Sequence, residues 1–189
     1  MPILKLQKIN CSSISMKSIV FTVLFGCLSS VSLFAQQWKI GSDYKVAFTC
    51  AEVSGIFKEI SGSVNFDAAN LGTSKFDLKI KVESINTGNG MMNGHAKGEE
   101  WFSSEKYPNI AFTSSKIEKS ENGYNAIGKL EIKGVKKDVT IPFTFVKKGA
   151  KGTFVAKFSV NRTDFGVGKK GKDVSETLKI TATIPVTKK

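Results

Sequence analysis

The chain has 189 residues with 28 basic against 16 acidic side chains, a net charge of +12, and it carries fourteen phenylalanines but one histidine and one arginine. A lone imidazole falls short of a zinc or copper site, so no metal is expected. A lone arginine weighs against nucleic acid as a partner, because phosphate and base recognition favour the planar guanidinium fork.

Lys5, Lys8 and Lys17 precede an apolar run over residues 19–28, which fades through serine-rich sequence to Phe34-Ala35 before Gln36-Gln37. That order is the one of a secretory signal peptide. Cleavage is expected after Ala35, leaving a signal peptide over 1–35 and one domain over 36–189, periplasmic or secreted. Met16 is an alternative start. Thr22, Gly26 and Ser29-Ser30 interrupt the run, which is shorter than the roughly 20 apolar residues of a spanning helix. Leu24-Phe25-Gly26-Cys27 has the spacing of a lipoprotein box, so lipidation at Cys27 is the minor alternative to cleavage at Ala35. Removing the three lysines of 1–35 from the 28 basic residues leaves 25 against 16 acids, a net +9. One cysteine, Cys50, remains, which rules out an internal disulfide within 36–189. Packing alone must then hold the 154 residues, a length that suits one core.

Two-residue alternation dominates from there on, the mark of an all-β chain. Val46, Phe48 and Cys50 alternate with Lys45, Ala47 and Thr49, and Val64 and Phe66 do the same against Ser63 and Asn65 after a break at Gly55. Residues 67–72 read as a turn. Phe76, Leu78, Ile80 and Val82 then face one way while Asp77, Lys79, Lys81 and Glu83 face the other. Ile110 and Phe112 open a strand that ends on the turn Glu121-Asn122-Gly123. Tyr124, Ala126, Gly128, Leu130 and Ile132 line the return, and Gly134 starts the next turn. Val139, Ile141, Phe143 and Phe145 follow, with Pro142 demanding an edge or a bulge. Phe154, Ala156, Phe158 and Val160 form one further strand, and Leu178, Ile180, Ala182, Ile184 and Val186 the last. About eight one-faced segments at hairpin spacing fit an antiparallel barrel or sandwich. A closed eight-stranded barrel either fills its interior or leaves room for one small ligand. The inward set includes Phe48, Phe66, Phe76, Phe112, Phe143, Phe145, Phe154 and Phe158.

One connection is too long for a hairpin. Residues 85–112 hold His95 between the run Asn86 to Gly90 and the pair Trp101-Phe102, and more than twenty residues there point to a cover over a cavity or to a packing plug. A short helix fits within residues 91–102, although Gly94 and Gly98 lower its propensity. Catalysis has little support, since no spacing offers His95 a nucleophile. The stretch 166–173 imitates a phosphate loop, yet Asp173 stands where the metal-binding hydroxyl belongs and strand pattern follows it. Cys50 has inward parity and reads as a buried thiol. Arg162 ends an apolar strand beside Asp164, where it can fork onto that carboxylate or onto an anionic head group.

In order and spacing, several of these segments together resemble the YceI-like family of exported bacterial lipid-binding proteins. They include Gly55-Ile56-Phe57, Ile60-Ser61-Gly62, Val64-Asn65-Phe66-Asp67, Glu83-Ser84-Ile85-Asn86-Thr87 and Asn93-Gly94-His95. Further along, Trp101-Phe102, the 107–112 segment, the 128–135 segment and Asn161-Arg162-Thr163-Asp164-Phe165-Gly166 continue the match. The resemblance implies an eight-stranded lipocalin-like barrel, with one long loop carrying a short helix, that holds a polyisoprenoid such as a quinone or prenyl diphosphate and performs no catalysis. Its cavity would be lined by the phenylalanines above with Leu78, Ile80, Leu130 and Ile132. Asn93, His95, Trp101, Arg162 and Asp164 would form the mouth. The family commonly places an Arg-Asp pair before the histidine and Leu after it; here Met92, Asn93 and Ala96 stand there, so an ionic contact at the mouth is lost. The rival expectation is a filled barrel that binds a membrane surface or a redox partner protein through its basic face and long loop. A homodimer is compatible with either.

Overall fold

The computed structural model describes residues 36–171 and 174–189. The expected signal peptide, its cleavage site after Ala35, the Cys27 site and Asp173 lie outside the described residues.

The first three of the eight strands are interrupted. The first is split into β1 (Gln37–Ile40) and β2 (Lys45–Thr49), the second into β3 (Ser54–Phe57) and β4 (Ile60–Asn65), and the third into β5 (Lys75–Lys81) and β6 (Ile85–Asn86). Tyr44 bridges the second break: its hydroxyl donates to the Lys58 carbonyl (2.7 Å) and accepts from Ile60 N (3.2 Å). The remaining strands are continuous: β7 (Asn109–Ser120), β8 (Gly123–Ile132), β9 (Val135–Lys148), β10 (Lys151–Asn161) and β11 (Thr177–Lys188). Every neighbour is antiparallel, and β11 pairs with both β1 and β2. That closure decides between barrel and sandwich: the eight strands form a barrel.

Local chemistry explains the irregularities. Pairing of β10 with β9 stops at Ala156↔Phe143, so Pro142 lies just past it, on a local edge where no donor is required. Ser114 faces inward in step with Ile110 and Phe112, and its hydroxyl accepts from Phe76 N at 2.8 Å; the bulge in β7 between Ser114 and Lys116 then shifts the alternation so that Ile117 is the next buried residue. Opposite Ser114 stands Gly128, where a Cβ would meet the Thr113 carbonyl oxygen at 2.2 Å. The turn between β8 and β9 places Lys133 (φ 50°) and Gly134 (φ 77°) in the left-handed region, the geometry of a tight two-residue hairpin.

The barrel is packed at one end and hollow at the other. At the packed end, fully buried Phe66 sits amid Phe76, Tyr124, Phe143, Phe145 and Phe154, with ring centroids 5.0–6.2 Å away. Each such pair adds about 0.5–1.5 kcal/mol beyond area burial. The Trp38 indole N–H donates to the Phe66 carbonyl at 2.9 Å, which satisfies a buried donor and fixes the turn that delivers Phe66.

Candidate ligand cavity and its mouth

Above the aromatic floor lies a cavity of about 760 Å³, within the range of small-molecule sites. Its walls are apolar: Val46, Phe48, Phe57, Ile80, Leu130 and Phe158 are representative. Of the twelve side chains expected inside, Phe48, Ile80, Leu130, Ile132 and Phe158 line this space. Phe66, Phe76, Phe143, Phe145 and Phe154 form the floor instead, and Phe112 and Leu78 belong to the packed core. Parity distinguishes inside from outside, but both halves of the barrel share it. Val167, Lys169 and Lys170 also line the cavity; they lie in a loop without periodicity, where no strand pattern could mark them.

Three segments converge on the mouth. Helix α1 (Gly90–Lys97) occupies the long connection, with Asn89 as its cap, whose side chain accepts from Met92 N at 3.1 Å. Asn93 was expected at the mouth but works as a fastener: its Oδ1 accepts from Thr87 N (2.8 Å) and Thr87 Oγ1 (2.9 Å). Met92, His95 and Ala96 of α1 face the cavity, followed by Trp101 and Phe102. Phe102 packs edge-on against Phe57 at 6.1 Å.

The second segment is organised by Arg162, 4% exposed at the end of β10. Its guanidinium donates to the carbonyls of Val167 (2.7 Å), Val174 (2.7 Å) and Ser175 (3.2 Å), and it lies 5.1 Å from the Trp101 ring centroid. Three diverging acceptors and one aromatic face suit arginine's fork. The expected pairing with Asp164 does not form. Asp164 sits in the single turn Arg162–Phe165 and faces Lys137 at 3.8 Å, outside the cavity lining. Gly168, at φ +65°, passes so close that a Cβ would meet Arg162 Nη1 at 2.8 Å and the Trp101 ring at 3.0 Å.

Lys133 supplies the third tie, donating to the carbonyls of Glu100 (3.0 Å) and Gly166 (2.9 Å). Glu52 anchors the same rim by accepting from Ser175 N at 2.8 Å and from its hydroxyl. These bonds, the backbone one foremost, with a weaker one from the Cys50 thiol, hold the Glu52 carboxyl at about 2 instead of 4.5. Cys50 is thereby corrected: β2 ends at Thr49, alternation ends with it, and the thiol is half-buried against Glu52 at 3.3 Å. Lys97, and then Ser104, hold the Glu83 carboxyl below its ordinary range.

Among the described residues, His95 makes no side-chain hydrogen bond to a hydroxyl or thiol, and no three His, Cys, Asp or Glu side chains gather as metal ligands. What the arrangement offers chemically is an apolar chamber beneath a polar, cation-bearing rim.

Residues 33–186 match the model of the YceI-like domain. The chain belongs to the YceI-like family. Two YceI-like relatives from the curated proteins carry the label UPF0312. One, from Photorhabdus laumondii, is 33% identical over 130 residues, covering 65% of this chain and 68% of the relative. Another, from Yersinia enterocolitica, is 28% identical over 140 residues, covering 69% and 73%. Among solved YceI-like structures, Burkholderia cenocepacia BcnA superposes with a TM-score of 0.76 at 31% identity, over 79% of this chain and all of that one. The Campylobacter jejuni YceI protein gives 0.67 at 27%, over 75% and 88%. A polyisoprenoid binding domain from Saccharophagus degradans, 14% identical, shares the fold with a TM-score of 0.58, over 82% and 99%.

Proposed function

We propose that this protein is a non-catalytic carrier that sequesters the tail of an isoprenoid or similar amphiphile, a quinone or prenyl diphosphate in type, inside the barrel. The observation that carries the reading is the 760 Å³ chamber, whose exposed walls are overwhelmingly carbon and which opens under one polar rim. An unfunctionalised branched tail gains roughly 25 cal/mol for each Å² it withdraws from water there, and no hydrogen-bonding partner is needed along the wall. The fold shared with a polyisoprenoid binding domain supports the same ligand class. His95, Trp101, Lys169 and Lys170 stand where a head group would rest. Arg162 is committed to three carbonyls and acts on the head group through the loop it shapes. The signal-peptide pattern over 1–35 supports a carrier that works in the periplasm or outside the cell.

Native mass spectrometry of detergent-free protein from its own host, followed by solvent extraction, tests the proposal. A stoichiometric prenyl lipid or quinone is the expected release. Empty protein that also refuses added prenyl lipids would falsify the carrier reading.

A further inference from the structure

The charge of this barrel is segregated along its axis. Of the seven ion pairs among the described residues, six lie in the cavity half, including Lys97–Glu83, Lys137–Asp164 and Lys169–Glu100; only Lys116–Glu118 lies in the closed half. The closed end instead gathers Lys39, Lys147, Lys148, Lys151 and Lys188, all exposed. None of the five has a carboxylate within 4.0 Å among the described residues.

Strand register turns these lysines into a patch. Lys148 on β9 stands directly opposite Lys151 on β10; Lys151 stands opposite Thr187 on β11, and Thr187 opposite Lys39 on β1. The row spans four adjacent strands, and Lys188 follows Thr187 in the chain. Like charges directly opposite across a ladder are destabilising. This pair is left unrelieved, while six lysines of the cavity half are matched with acids. Two residues before Lys148, Val146 is 67% exposed, opposite Thr153.

We propose that the closed end is a docking surface for an anionic lipid bilayer. Diffuse lysine charge near anionic head groups is attracted without any groove, and a projecting apolar side chain can enter the interface. Lysine is suited to such a diffuse field, whereas pairing with individual phosphates of a macromolecule favours the arginine fork, and the chain's single arginine is buried at the other end. Docked this way, the barrel directs its mouth away from the surface. The surface is independent of what the cavity holds.

The test is co-sedimentation of the protein purified from its host with sucrose-loaded vesicles of phosphatidylcholine containing graded phosphatidylglycerol. Binding should rise with the phosphatidylglycerol fraction and fall as salt screens the attraction. The double variant Lys148→Glu/Lys151→Glu should lose about tenfold or more in affinity. Lys129→Glu/Lys136→Glu, which removes the same net charge from the cavity half, should stay within about twofold of wild type, because screened attraction is local. Lys151→Glu alone should raise the thermal midpoint by turning a repulsive pair into an attractive one and should still weaken binding several-fold, which separates loss of binding from loss of fold. Equal binding to neutral vesicles, equal losses in both double variants, or no sedimentation with anionic vesicles each overturn the proposal, and the last does so even if the end then captures an acidic protein.

Discussion

Arg162 and Glu52 share a task, holding the backbone at Val167 and at Val174–Ser175 against the barrel rim, and each yields a measurable consequence. Arg162→Ala removes the donor from three carbonyls at once, at a cost of about 2–4 kcal/mol in urea unfolding. Arg162→Lys should recover less than half of that, since one ammonium cannot serve three diverging acceptors and stack on Trp101. For Glu52 the folded value of about 2 lies below the ordinary 4.5. The carboxylate's contribution is therefore full above pH 4.5 and is lost as pH falls through about 2. Glu52→Gln should flatten the pH dependence of stability in that window, and a carboxyl carbon titrating near 4.5 in the folded protein would contradict the bond to Ser175.

At the scale of elements, the division of the barrel limits the tail. From Arg162, just past the end of β10, the cavity runs down to Phe158, four residues or about 13 Å at the rise of a strand, before the floor begins. Phe143 forms the top of that floor. Its register neighbours Ala156 and Ala182 are small, and the next residue around, Val46, already lines the cavity. Affinity for a graded series of prenyl alcohols should therefore rise with length and then level off. Phe143→Leu should move the plateau to longer tails; an unchanged plateau would mean that the floor does not set it. Deeper in the floor, Phe66→Ala should cost about 3–5 kcal/mol in urea unfolding, because its five ring neighbours cannot collapse onto the void.

For the whole molecule, the two ends differ in build: a mouth tied by ion pairs and backbone bonds, and a closed end whose Lys39, Lys147, Lys148, Lys151 and Lys188 have no ion pair among the described residues. The rival expectation placed both the basic face and the long loop on one interaction surface of a filled barrel. The long loop lies at the cavity end, whereas the Lys148–Lys151–Lys39 row lies at the closed end.

The sequence by itself determined the strands, their one-faced pattern, the turn at Gly134 and the family, because side-chain alternation and turn chemistry are local. It also marked 85–112 and 161–166 as the segments that matter. Closure through β1 and β11, the split between floor and chamber, and the partners of Arg162, Asp164 and Cys50 were decided only by the tertiary structure. Phe66 and Phe158 carry the same local signal. Whether such a side chain fills space or borders it depends on how far along the axis its strand has risen and on which small residues face it from other strands.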